Sequence, residues 1–548
     1  MSRWSSPANW SLALSLAVVA GSVAGQARSA QDGAVDSVPT HVADQREQAA
    51  DVPVDPRQVP DGGRKWWSPG EGRTFPRLIE YSNPHGRHAL LNTQAPLATA
   101  GHPFFEPIGT NGRACVSCHQ PADGMGLSLQ SIRERWEQTG GRDPIFAAID
   151  GSNCPSLPQD DAASHSLLLE RGLFRIFLPW PPANPRGQGT IEPEFTIEVV
   201  RDPGGCNLDP QYGLFSDHPM ISVYRRPRVV ANMPYVVHRR FGVGPFVGKT
   251  GEPALRDPDT GEPVNMNLMA DAREPTLATQ AVEASITHLQ LLAGLTPAQA
   301  AQIVSFEDQL FAAQVTDAVA GSLLRGEGGK AFGPENLATS EIGTLGNNTT
   351  RWVFPVDATW AEPDPALSRD ANARRASIRR GQQLFHFRTF WIRDSMHLNT
   401  VGLGNPAKRT CSTCHGMHMT GLDTANGWMD IGTTNLPWAR EVPRNPWTQE
   451  RELMPLFKIT CRADLPPHPY LGRVIYTQDP GRALISGKCN DVGTIVMQQF
   501  RGLAARAPYF SNGSASNLRE IVDFYDRRYN IQFSEQEKID LENFMATL

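Results

Sequence analysis

The chain has little excess charge of either sign. Its 51 lysines and arginines stand against 57 aspartates and glutamates, a net of −6 over 548 residues. A nucleic-acid partner or an anionic membrane surface calls for a basic excess, so neither is expected. Beyond the N-terminus the sequence also lacks any apolar run long enough to span a bilayer, so no stable membrane insertion is expected. Cysteine is scarce, at eight residues, but its placement is patterned. Glycine and proline are plentiful: 48 and 45 residues predict long ordered loops between the regular elements.

Four of the cysteines fall in two runs, Cys115-Val-Ser-Cys118-His119 and Cys411-Ser-Thr-Cys414-His415, 296 residues apart. C-x-x-C-H is the attachment pattern of a c-type haem. The two thiols add to the porphyrin vinyl groups and the adjacent imidazole becomes an axial iron ligand. A dithiol or zinc half-site does not need the closing histidine that both runs carry. Two covalent haems are therefore expected, held by Cys115, Cys118, Cys411 and Cys414, with His119 and His415 as proximal ligands.

The N-terminus agrees with this. Arg3 precedes the short apolar run Trp10-Ser-Leu-Ala-Leu-Ser-Leu-Ala-Val-Val-Ala, and small residues follow at Ala24, Ala27 and Ala30. That order reads as a secretory signal peptide over residues 1–30, with any of the three alanines as the cleavage point. Haem attachment to C-x-x-C-H takes place on the exported side in bacteria, so a periplasmic location is expected. Cys154, Cys206, Cys461 and Cys489 remain, an even number that in an exported chain suggests two disulfides. Sequence leaves the pairing open; the local choice, Cys154–Cys206 and Cys461–Cys489, puts one in each half.

Residues 31–84 read as a flexible polar lead-in. A first haem half is expected over 85–325, a Gly/Asn-rich connector over 326–373, and a second haem half over 374–548. Helices are expected at Leu127–Gln138, through Thr276–Leu310, at Arg375–Phe385, at Asn517–Tyr525 and at Ser534–Thr547, where Ser534-Glu-Gln-Glu suits a capping box. Arg175–Leu178 and Phe195–Val200 look strand-like. The expected fold class is mainly α with long loops, in two cytochrome c domains that each bind one covalent haem.

Phe104-Phe-Glu-Pro-Ile-Gly-Thr-Asn-Gly-Arg-Ala-Cys-Val-Ser-Cys-His119 resembles the N-terminal haem segment of bacterial di-haem cytochrome c peroxidases. Arg501-Gly-Leu-Ala-Ala-Arg-Ala-Pro-Tyr-Phe-Ser-Asn-Gly through Tyr525 resembles the closing segment of the same superfamily. That superfamily also includes MauG and the rubber oxygenases. The resemblance covers both haem segments and the last fifty or so residues, and the middle only in outline. It implies a reactive haem at His119 and an electron-transfer haem at His415.

The same resemblance suggests residues for the opposite iron faces. The family's second distal ligand lies fourteen residues beyond the position of Ser511, which is Tyr525 here; a phenolate there favours high oxidation states. Met497, Met396 and His397 are rival ligands, and a packed helix tyrosine is the competing reading. His218, ahead of Tyr224-Arg-Arg-Pro227, loosely matches the family's switchable histidine but lacks its flanking Gly and Trp, and a loop histidine is the competing reading. Asp271-Ala-Arg273-Glu-Pro-Thr-Leu-Ala-Thr-Gln280-Ala resembles the helix lining the reactive haem, which implies catalytic roles for Arg273 and Gln280. The family's catalytic Glu position is Gln290 here. His288 stands nearby and is the expected acid–base group, where a solvent-facing histidine is the alternative. Ala270 replaces an inter-haem tryptophan. Arg506 stands at the calcium-site threonine and brings its own positive charge, which argues against calcium.

The function implied is a periplasmic di-haem oxidoreductase that reduces H2O2 with electrons from a small redox protein or organic donor. A rubber-oxygenase-like dioxygenase using O2 on an alkene, and a non-enzymatic electron-transfer cytochrome, are the alternatives.

Overall fold

The computed structural model describes residues 65–94, 96–184, 189–237, 257, 262, 264–265, 267–324, 332–339, 360–397, 406–415, 427–438 and 452–548. The expected signal peptide, and the lead-in as far as residue 64, lie outside these. So does most of the expected connector.

The expectation of a mainly helical fold is overturned. Helix accounts for 32% and strand for 20%, the strand in six small antiparallel sheets. The excess of expected helix is traceable to particular residues. The stretch expected as helix through Leu310 holds two shorter helices, Leu277–His288 and Pro297–Glu307, broken where Gln290 adopts φ 56°. Leu310–Asp317 then runs as a strand. Its apolar sequence Leu-Phe-Ala-Ala-Gln-Val is buried on both faces, a pattern that periodicity alone cannot tell from a buried helix. It lies inside a four-stranded sheet ordered Leu78–Asn83, Gly86–Asn92, Leu310–Asp317, Gly321–Ser322. Gly86, at φ 143°, has to be glycine, because a Cβ there would meet the Thr316 carbonyl oxygen at 2.2 Å.

The described part of the lead-in, residues 65–84, is built into this core. Trp67, Phe75 and Tyr81 are buried. Trp67 and Phe75 pack with Phe104, Phe105 and Phe306, the closest ring centroids being Phe104–Phe306 at 4.8 Å. Such aromatic pairs contribute about 0.5–1.5 kcal/mol each beyond area burial. Ala114 and Val116 belong to the same cluster, so it supports the first C-x-x-C-H run directly.

The second half is the more helical one. Arg369–Phe387 packs against Glu535–Met545, and Gly381 permits their close approach, since a Cβ would lie 1.9 Å from the Asp540 carbonyl oxygen. Asp540 in turn accepts hydrogen bonds from Arg380 (2.7 Å) and Ser377 (2.6 Å). Ser534 and Glu537 form the capping box that their spacing suggests. Asn517 caps Leu518–Tyr529 through the backbone N–H of Glu520.

The halves are not separate bodies. Residues Pro56–Leu548 form one compact unit. Phe195–Arg201 of the first half pairs antiparallel with Leu456–Cys461 of the second, which also pairs with Val474–Thr477. In that register Phe457 faces Val199 and Ile459 faces Ile197, over a core with Val223, Ile475 and Val492. The local disulfide pairing is the one observed, Cys154–Cys206 and Cys461–Cys489. Among the described residues no helix is long and apolar enough to cross a membrane.

Candidate functional site

The first C-x-x-C-H run begins as a single helical turn, Cys115–Ser117, after which His119 is half-buried. Gln120 fastens it in place. Its amide N–H groups donate to the Val116 and Trp67 carbonyls (2.6 and 3.0 Å), and its side-chain oxygen accepts from Trp67 N–H (2.9 Å). The residues just before the motif clasp the end of the Leu277–His288 helix. Asn111 Nδ2 donates to the His288 carbonyl (2.8 Å) and Thr110 Oγ1 to that of Gln290 (3.2 Å). These are the carbonyls that a helix C-terminus leaves without partners. The sequence thus ties the motif to the helix that carries Gln280 and His288.

Cys115, Cys118 and His119 line a cavity with about 1470 Å³ of free space, part of it open to solvent. The sequence-predicted residues Arg273, Gln280 and His288 line the same cavity. His288 Nδ1 lies 2.5 Å from Asp150 Oδ2, and the other Asp150 oxygen accepts a bond from the buried Arg113. Burial alone would raise the Asp150 carboxyl, but Arg113 and His288 outweigh it and hold it below the ordinary carboxylate range. With Asp150 ionised, Nδ1 carries the proton and Nε2 is the basic nitrogen.

A second polar group lines this cavity. Arg225 bonds Asp271 (2.6 Å) and takes Asp479, from the second half, in a fork of 2.7 and 2.9 Å. Arg273 also bonds Asp271 (3.0 Å) and reaches Glu283 (3.3 Å). Burial would raise Asp271, and the two guanidiniums hold it well below its usual value instead. Met269 and Ala272, flanking Asp271, sit at φ 58° and 55°. Such conformations cost ~1–3 kcal/mol each for non-glycine residues and persist only where surrounding contacts enforce them. Glu307 completes the wall. It is buried, its Oε2 has no hydrogen-bond partner, and burial, with Asp308 and Glu262 nearby, pushes its carboxyl up to about 8.

The second run forms the short helix Cys411–His415, on the wall of another cavity with about 1580 Å³ of free space. Phe500 stacks on the His415 ring, centroids 4.2 Å apart. Phe385, Phe390, Ile495, Ile521 and Met545 contribute further apolar wall. Tyr525 faces this cavity from the Leu518–Tyr529 helix. Burial, with Tyr529 and the two thiols nearby, pushes its hydroxyl well above the usual tyrosine value. Met497 lines both cavities. His218 is exposed and lines neither. The side chains of Met396 and His397 lie outside the described residues.

Both motifs suit a haem. The four motif thiols are free while the other four cysteines are disulfide-bonded. Burial pushes Cys118 and Cys411 up to about 12 and Cys414 to about 11, and Cys115 higher still. Protein interiors are close-packed, so two large mainly apolar cavities, each with a half-buried imidazole on its wall, leave room for a large apolar group such as a porphyrin. Burial pushes both His119 and His415 down to about 4, which keeps each imidazole neutral as an iron ligand must be. The described residues contain no cluster of three or more His, Cys, Asp or Glu placed to hold a metal ion. A haem site needs none, because the porphyrin itself supplies four nitrogens.

The cavities share a wall. Arg226, Pro227, Met497, Gln498 and Gln499 line both. Ala270, on the first cavity, accepts a hydrogen bond at 2.8 Å from the backbone N–H of Val496, on the second. The position expected to hold a tryptophan therefore still lies at the partition, joined to it through backbone. Sequence reasoning missed Asp150, Arg225, Asp479 and Glu307. The Arg225-Arg226-Pro-Arg228 run, basic residues at the end of an apolar strand, was the available signal for the wall. Set against protein-family models and curated protein sequences, the chain matches neither a family model nor a curated protein.

Proposed function

We propose that the protein is an exported di-haem c-type oxidoreductase that reduces H2O2 beside His119, drawing electrons through a second haem beside His415. The reading is supported chiefly by one observation: each C-x-x-C-H run, thiols free, lines its own cavity, and the two cavities share a wall. A haem held there by Cys115, Cys118 and His119 would supply an iron that accepts and passes single electrons and takes up peroxide.

The protein residues handle protons and charge. Asp150, fixed by Arg113, holds His288 with Nδ1 protonated, so that Nε2 can take the first proton of H2O2 and return it to the departing oxygen. The overall change takes two electrons and two protons per H2O2 and gives two waters. Arg273, held by Asp271 and Glu283, fixes guanidinium N–H donors at the cavity wall, and Gln280 lines the same cavity with an uncharged amide. On the second cavity, Tyr525 is the oxygen ligand candidate for the iron held by His415.

The test is a pyridine haemochrome assay with stopped-flow mixing against H2O2 and EPR of the resting protein. Two haems per chain, a high-spin ferric signal and a peroxide-dependent spectral change are expected. One haem or none overturns the reading, and a stable O2 adduct without any peroxide response redirects it to an oxygenase.

A further inference from the structure

On or beside the shared wall stand three arginines that have no carboxylate partner among the described residues. Arg113, Arg225 and Arg273 are each ion-paired. Arg226, Arg228 and Arg506 bond only to backbone carbonyls. Arg226 reaches those of Gly172 (3.0 Å), Leu127 and Arg506 (3.1 Å). Arg228 reaches those of Val496 (3.1 Å) and Met497 (2.7 Å), and Arg506 those of Arg501 and Gln499, both at 2.6 Å. Arg226 and Arg506 are buried and Arg228 is partly so. Burial pulls all three guanidiniums down to about 10, which leaves them charged at neutral pH. Carbonyls satisfy their N–H groups without balancing their charge. The nearby carboxylates do little: Asp123 acts on Arg226 from a distance, and Asp271, which acts on Arg228, already serves Arg225 and Arg273.

Their placement is ordered. Arg228 lines only the first cavity, Arg506 only the second, and Arg226 both. Uncompensated charge in a protein interior is costly and is retained where a counter-ion completes it. A haem brings two propionate carboxylates, and guanidinium is the side chain best shaped to take them.

We propose that Arg228, Arg506 and Arg226 are the propionate-binding set of the shared wall, serving the first haem, the second haem and both haems respectively. This rests on the di-haem reading. It makes the wall an electrostatic element common to both irons. Each positive charge favours the reduced iron, so its loss lowers that haem's midpoint potential.

The test uses the haem-loaded full chain in spectroelectrochemical titration, with haem content measured on the same samples. Arg228→Gln should shift the reduction equilibrium of the first haem about tenfold towards oxidised, or 59 mV, leaving the second in place. Arg506→Gln should do the reverse. Arg226→Gln should move both. Two haems per chain with unmoved midpoints, or movement of one haem only in Arg226→Gln, would overturn the assignment. A chain that takes up no haem overturns the di-haem reading instead, so the two failures are distinct. If a glutamine variant fails to accumulate, the lysine variants decide. An ammonium cannot fork onto a carboxylate, so the propionate bending bands of the matching haem should shift in resonance Raman spectra. Bands identical to wild type in all three lysine variants would overturn the assignment as well.

Discussion

The two cavities share a five-residue signature, similar free space and one wall, yet their linings differ in kind. The His119 cavity is edged by Asp150, Arg225, Arg228, Arg273, Glu307 and His288. The His415 cavity is faced by Phe385, Phe390, Phe500, Tyr525 and a series of aliphatic side chains, with Arg226 and Arg506 at the shared wall. The first is furnished to move protons and steady charge. The second carries none of these acids or imidazoles beyond its motif histidine, and its distinctive groups are aromatic rings and Tyr525. Under the proposed function the difference matters, because bond cleavage in peroxide needs a group that gives and takes a proton, whereas a site that only exchanges electrons does not. The attachment motif fixes where each haem would sit, and the lining decides what it would do.

The comparison can be broken most sharply at the motifs. Cys411→Ala with Cys414→Ala should abolish one covalent haem, leaving half the haemochrome absorbance and an intact first site. Next in size is His288→Ala, expected to slow the reaction with H2O2 by ~10²–10⁴ while haem content and midpoints stay put. A rate within a factor of ~2 of wild type would remove His288 from the chemistry.

Asp150→Asn should slow the same reaction by ~10–100-fold, because it acts through the orientation of His288. It also strips Arg113 of its buried partner, at a cost of ~3–5 kcal/mol measured by chemical denaturation. Glu307→Gln tests the proton-handling character of the first cavity from the stability side. Burial pushes Glu307 up to about 8 from 4.5, so the neutral acid is the form that suits the fold. The stability it contributes is complete below about pH 4.5 and is lost as pH rises through 8, on the order of 3–5 kcal/mol. Asp123 and Asp430, both pushed up to about 6, slope the same way. The readout is therefore the difference between variant and wild-type melting curves from pH 6 to 8, where the variant should be the flatter. Smallest is Tyr525→Phe, which should alter only the EPR signature of the second haem and leave the peroxide rate alone. An unchanged spectrum would make Tyr525 a packing residue.

What was legible in the sequence was local. Ser534 with Glu537, Asn517 ahead of its helix, both C-x-x-C-H runs and two cysteine pairs of modest separation all announce themselves within a few dozen residues. What was hidden depends on distant partners. Leu310–Asp317 is a strand because Gly86–Asn92 lies beside it, more than two hundred residues earlier. Trp67 and Phe75 looked like parts of a polar tail until Phe306 arrived to cover them. The position of His288 was readable from spacing, but its orienting carboxylate, Asp150, is 138 residues away and carries no motif.

The pairing of Phe195–Arg201 with Leu456–Cys461 also sets a schedule for the growing chain. The first strand emerges some 255 residues before its partner. At ~5–20 residues per second of synthesis, it waits roughly 10–50 s with its backbone edge unpaired. During that interval the edge is open to pairing with another chain. The risk of association between molecules should therefore grow with expression rate. Slower synthesis at lower temperature does not shorten the wait, but it thins the population of half-made chains that could meet.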